Sequence, residues 1–173
     1  MSREPQALYN HSVRPSKLWK EMSREKRLLA ADAFWRDDEE GTAAQHIEAI
    51  VSLAQRLKFR PKSIQALPVE RRARQLAGLA DVSDAIATRA LIAYHFAHAR
   101  PLMGAFLDAV GLAHDAGLIT EEPKPPEAAR LRSAIESVRR SFAPEDVDLY
   151  LRTLVVIDGD TWGGLSEILT PDS

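Results

Sequence analysis

Across residues 81 to 118 apolar side chains fall on almost every side of a helical projection, as they do in a helix enclosed by its neighbours. At about 100° per residue, Asp84, Thr88, Leu91, His95 and His98 share one narrow stripe, which is the main polar line of this stretch. Ile86, Ala90, Ala93 and Ala97 form a small-residue face on which another helix can approach closely. Ser83 is placed to cap the start, because its hydroxyl can accept from an amide of the first turn. Pro101 lacks the amide proton that the Ala97 carbonyl needs and disfavours helical geometry at Arg100, so a kink or short break is expected there. Leu102, Met103, Phe106, Leu107 and Val110 resume the apolar pattern, and Gly111 or Gly117 is the expected stop.

Shorter amphipathic segments surround this stretch in sequence. Pro15 and Ser16 open one that carries Leu18, Trp19 and Met22; Ser23 caps the next, with Leu28, Leu29, Ala33, Phe34 and Trp35. Thr42 and Gln45 fit a capping box ahead of Ile47, Ile50, Val51, Ala54 and Leu57, and Pro68 is expected in the first turn of a short helix with Glu70, Leu76 and Leu79. Prolines at 123, 125 and 126 exclude regular helix and make a stiff linker. Beyond it, Leu131, Ile135 and Val138 mark one helix, Val147 to Leu154 another, and Trp162, Leu165 and Leu169 a closing one. Val155, Val156 and Ile157 are β-branched but have no second strand to pair with, so they are read as helical. The expected organisation is a tail at 1–14, a main helical domain at 15–122, a linker at 123–126 and C-terminal helices at 127–173 packed on the main domain. The fold class is all-α, an irregular orthogonal bundle of about seven or eight helices, with a short α-solenoid as the alternative.

Composition narrows this picture further. Cysteine is absent, which removes disulfides, thiolate metal sites and cysteine nucleophiles, and fits a reducing, cytoplasmic setting. No signal-peptide pattern opens the chain, and no apolar run reaches the roughly 18 residues of a membrane span, so no membrane partner is expected. The net charge of -2 hides an asymmetry. Residues 1 to 80 hold 15 Lys and Arg against 10 Asp and Glu, and the remainder hold 8 against 15. Mutual attraction of the two halves is the simplest consequence.

Candidate chemistry is sparse. His95 and His98 lie one turn apart, so their imidazoles can converge on a cation if His46, His114 or Asp115 supplies a further ligand. No cofactor is expected, with a divalent metal as the alternative. The segment Gly111-Leu-Ala-His114-Asp115 resembles, over fewer than ten residues, the central motif of HD-domain phosphohydrolases. That family also takes an upstream histidine and a downstream aspartate as ligands, and the lysine that often follows its dyad is absent here, so no activity is carried over. Arg56, Lys58, Arg60, Lys62, Arg71, Arg72 and Arg74 form a basic band that would suit an anionic partner if gathered on one face. Only Phe59 interleaves it, so a solvated face is the expected role and nucleic acid is not the expected partner. Neither a nucleophile elbow nor a glycine-rich phosphate loop occurs. The expected function is therefore a non-catalytic helical protein that binds another protein chain or itself. A metal-dependent hydrolase and a nucleic-acid accessory protein are the alternatives.

Overall fold

The computed structural model describes residues 14–169, so the expected tail, apart from Arg14, and residues 170–173 lie outside it. The chain is all-α. Ten α-helices follow one another among the described residues: α1 (Pro15–Glu21), α2 (Arg24–Arg36), α3 (Ala43–Leu57), α4 (Pro61–Gln65), α5 (Val69–Ala77), α6 (Asp84–His98), α7 (Arg100–Val110), α8 (Ala128–Ser141), α9 (Pro144–Ile157) and α10 (Gly159–Leu169). Two more helices form than expected because the five-residue α4 is separate and the long apolar stretch divides into α6 and α7.

Local chemistry sets most of these boundaries. The hydroxyls of Ser23 and Ser83 accept from the amides of Lys26 and Ile86, each at 3.2 Å, satisfying a first-turn donor of α2 and of α6. Thr42 does not act this way. Its hydroxyl donates to Asp37 at 2.9 Å, and the side-chain oxygen of Gln45 has no hydrogen-bond partner among the described residues, so the expected capping box is absent. A 3-10 turn at Glu40–Thr42 feeds directly into α3 and already gives Thr42 helical geometry, which removes the extended conformation a capping residue needs. Pro68 sits one place before the first turn of α5, as its flanking residue.

α6 lies at the centre, packed against α1, α2, α3 and α9. Ile86, Ala87, Ala90 and Leu91 are fully enclosed, and Ala87 and Ala90 share one apolar cluster with the buried Ala30 and Ala31 of α2, the helix packed beside α6. Trp19, Phe34, Leu53, Ile64 and Leu76 complete this first apolar cluster. The indole N–H of Trp19 donates to the Leu79 carbonyl at 2.8 Å, so its burial leaves no orphaned donor.

The break falls at Ala99, whose φ of -131° and ψ of 17° interrupt the helix one residue earlier than expected. Arg100 is already helical, and Pro101 sits in the first turn of α7, where a missing amide has no partner to lose. The Arg100 side chain then donates to the Phe96 carbonyl at 2.9 Å and to the Ala116 carbonyl at 3.0 Å. α7 shares its cluster with α8, α9 and α10 through Phe106, Leu107, Leu131, Leu151, Trp162 and Leu165. Leu149 of α9 belongs to the first cluster, so α9 spans the seam.

A feature absent from the sequence reading is a short antiparallel hairpin, β1 (His114–Asp115) and β2 (Leu118–Ile119). Ala116 (φ 46°) and Gly117 (φ 94°) supply the two left-handed residues that a tight hairpin turn requires. Gly111 (φ 78°) closes α7, as expected.

Candidate functional site

The structure disperses the five histidine-stripe and dyad candidates more than it gathers them. His95 is 2% exposed, and its Nδ1 lies 2.8 Å from the Leu91 carbonyl. A carbonyl only accepts, so Nδ1 carries the proton and Nε2 is a bare acceptor, which has no partner among the described residues. Burial depresses the His95 pKa to about 4, against a smaller upward pull from the Leu91 bond, so the ring is neutral at neutral pH. His98, one turn on, is exposed and lies with its ring 5.6 Å from Tyr94.

His95 and His98 do border one small cavity, together with Asp146 of α9. His46 is elsewhere: its Nε2 is 2.6 Å from the Phe34 carbonyl, and its ring packs edge-on against Phe34. His114 is also occupied. Its Nδ1 accepts from the Gly117 amide at 3.1 Å, which places the proton on Nε2 for donation to Asp108 at 2.7 Å. His114 thus fastens the hairpin to α7. Asp115 follows it on a strand, where successive side chains take opposite faces, so the dyad does not converge on one point. Among the described residues no group of three His, Asp or Glu side chains could hold a metal ion.

The basic band is likewise divided. Arg56, Lys58, Arg60 and Lys62 are exposed around the end of α3 and the start of α4, with Phe59 between them at 54% exposure. Lys58, at φ 56°, also closes α3 in the left-handed conformation. Arg71 and Arg74 are exposed on α5, whereas Arg72 is half-buried with its guanidinium 5.0 Å from the Trp35 ring centre.

Sequence reasoning missed a groove of about 700 Å³ between the end of α2, the last turns of α6 and the hairpin. Its apolar surface comes from Ile92, Ala93, Phe96 and Leu118, the last 55% exposed. Around it stand the carboxylates of Asp32, Asp37, Glu39 and Asp115, against the cations of Arg36 and Arg100. Both arginines are already engaged: Arg36 pairs with Asp32 at 2.9 Å and with Glu70 at 3.2 Å, and Arg100 is held by the two carbonyls described above. Glu39 and Asp115 form no ion pair among the described residues. The groove is therefore apolar within and net acidic at its edge. Its only sequence signals were the acidic run at 37 to 40 and the isolated apolar pair Leu118 and Ile119, which lie far apart in the chain.

No helix among the described residues is long and apolar enough to cross a membrane. No protein-family model matches this chain, and no curated protein or solved structure matches it either.

Proposed function

We propose that the protein is a non-catalytic interaction module whose groove between α2, α6 and the hairpin receives a basic amphipathic segment of another protein chain. The observation that carries this reading is the combination of an apolar surface at Phe96 and Leu118 with a surplus of carboxylates over the two arginines that line the groove, both of which are already engaged. An apolar helix face flanked by lysine or arginine would bury against Phe96 and Leu118 while its cations met Asp37, Glu39 and Asp115. The dispersal of the histidines among separate hydrogen bonds supports a binding role over hydrolysis. A cytoplasmic setting, suggested by the lack of cysteine, belongs to the same proposal.

Fluorescence anisotropy with a panel of labelled helical peptides tests it, comparing basic amphipathic members with acidic and with purely polar ones. Basic amphipathic peptides should bind in the micromolar range, more weakly as salt rises, and lose affinity at least about tenfold with Leu118→Glu. Light scattering on the unliganded protein distinguishes a foreign segment from a second copy as the occupant. Equal binding of acidic and basic peptides, or indifference to Leu118→Glu, would sink the proposal.

A further inference from the structure

The class of partner that suits the groove, an apolar group flanked by cations, is present on the surface of this same chain. The corner between α3 and α4 carries Arg56, Lys58, Arg60 and Lys62, all exposed, with Phe59 among them at 54% exposure. None of these four cations forms an ion pair among the described residues. The sequence gives the reason: no carboxylate occurs between Glu48 and Glu70, and Glu70 is already paired with Arg36 at 3.2 Å. The corner is therefore an exposed aromatic ring within uncompensated positive charge, opposite in sign to the acidic edge of the groove. Its backbone is already ordered, since Lys58 closes α3 at φ 56° and the Phe59 amide donates to the Ala54 carbonyl at 3.0 Å, so docking costs little conformational freedom. The two surfaces do not meet within one molecule. Asp37 and Glu39 of the groove precede α3 and the corner lies at its other end, and the 15 residues of that helix span about 22 Å at 1.5 Å each.

We propose that the occupant of the groove is a second copy of this chain, docked through its α3–α4 corner. The Phe59 ring of one copy lies against Phe96 and Leu118 of the next, and the corner cations face Asp37, Glu39 and Asp115. This inference rests on the reading of the groove as a site for a basic segment, and it names that segment. Because corner and groove are different surfaces, each copy offers one of each and the contact is heterologous. One aromatic side chain and a charged rim make a small contact, so Kd is on the order of 0.1 mM in dilute salt and rises with salt.

The test is sedimentation velocity of the full chain over a concentration series, with two variants. Wild-type mass should rise above that of a monomer as concentration passes about 0.1 mM, and raising the salt should reverse the rise. Phe59→Glu spoils the corner and Leu118→Glu the groove. Both positions are more than half exposed, so each variant keeps its fold, which circular dichroism checks. Each variant alone should associate at least about tenfold more weakly than wild type. An equimolar mixture should recover association and stop at a heterodimer, because Phe59→Glu retains a working groove and Leu118→Glu a working corner. A wild-type chain still monomeric at about 1 mM in dilute salt, variants that associate like wild type, or a mixture that stays monomeric would overturn the proposal. If basic peptides bind the groove of a chain that stays monomeric, the occupant is foreign and the second-copy assignment alone falls. If Leu118→Glu alters neither peptide binding nor association, the reading of the groove falls with it.

Discussion

At the scale of single residues, His95 makes a specific claim about pH. Unfolded, its imidazole titrates near 6.5, whereas burial holds the folded value near 4. Above 6.5 the ring is neutral in both states, so folding carries no protonation penalty. As pH falls from 6.5 toward 4, the unfolded chain takes up a proton that the folded chain refuses, and stability is lost by about 3 kcal/mol at most. Below 4 both states are protonated and the loss levels off. The charges facing this ring are the Lys26 ammonium and the Asp146 carboxylate, with Tyr94, His98 and Tyr150 as its titratable neighbours. Asp84 and Asp158, whose pKa values are pulled below the ordinary 3.8 by hydrogen bonds from Ser16 and Thr161, lose their contributions only at lower pH. Urea unfolding at pH 7 and at pH 4.5 should therefore show a drop that His95→Phe largely removes; an unchanged drop in the variant would place its cause elsewhere. Residue roles were unevenly legible in the sequence. Ser23 and Ser83 act where their neighbours' periodicity placed them, but Thr42 reaches Asp37 and His114 reaches Asp108 through chain bends that one-dimensional spacing does not encode.

Among the elements, the hairpin and the bend are the informative cases. A strand of two residues has no measurable alternation, and Ala116 gave no turn signal, so only Gly117 could have pointed to the hairpin. Gly117 is required there. Its φ is 94°, and a Cβ would stand 2.9 Å from the Met103 Cβ. Gly117→Ala should cost about 1–3 kcal/mol in chemical denaturation and loosen one wall of the groove, whereas wild-type stability would show that the turn relaxes without strain. Pro101 points the other way. Since it occupies the first turn of α7 and the irregular residue is Ala99, Pro101→Ala should change stability by no more than about 1 kcal/mol and leave helix content by circular dichroism unchanged. A marked gain in helicity would mean that proline itself imposes the break. The presence of an interruption was readable from Pro101, and its location was not, because the Phe96 carbonyl at the bend is taken by Arg100, whose side-chain reach no periodicity reports.

On the scale of the whole molecule, α9 and α6 couple two apolar clusters that meet at the bend. Leu149 enters the first cluster from a helix otherwise committed to the second, and Lys26 bonds Asp146 across the same seam. Lys20 pairs with Asp81 as well, so part of the opposite charge of the two halves is spent within the fold. Trp19 and Trp35 report on the first cluster and Trp162 on the second. Single-tryptophan variants should unfold at one common urea concentration, and Leu149→Ala should lower both midpoints together through a loss of about 2–5 kcal/mol. Two separated transitions would instead reveal independent halves. The all-helical class and the enclosed central helix were legible from periodicity alone, since each needs only local pattern. The groove was not, because α2, α6 and the hairpin meet only once the chain has folded.

The most direct test of the interaction role is to map backbone amide shifts while a basic amphipathic helical peptide is added. Shifts should concentrate on the end of α2, on Ile92 to Ala97 of α6 and on the hairpin, and should fade as salt rises. Shifts scattered over the surface, or centred on the exposed cations near Phe59, would contradict it.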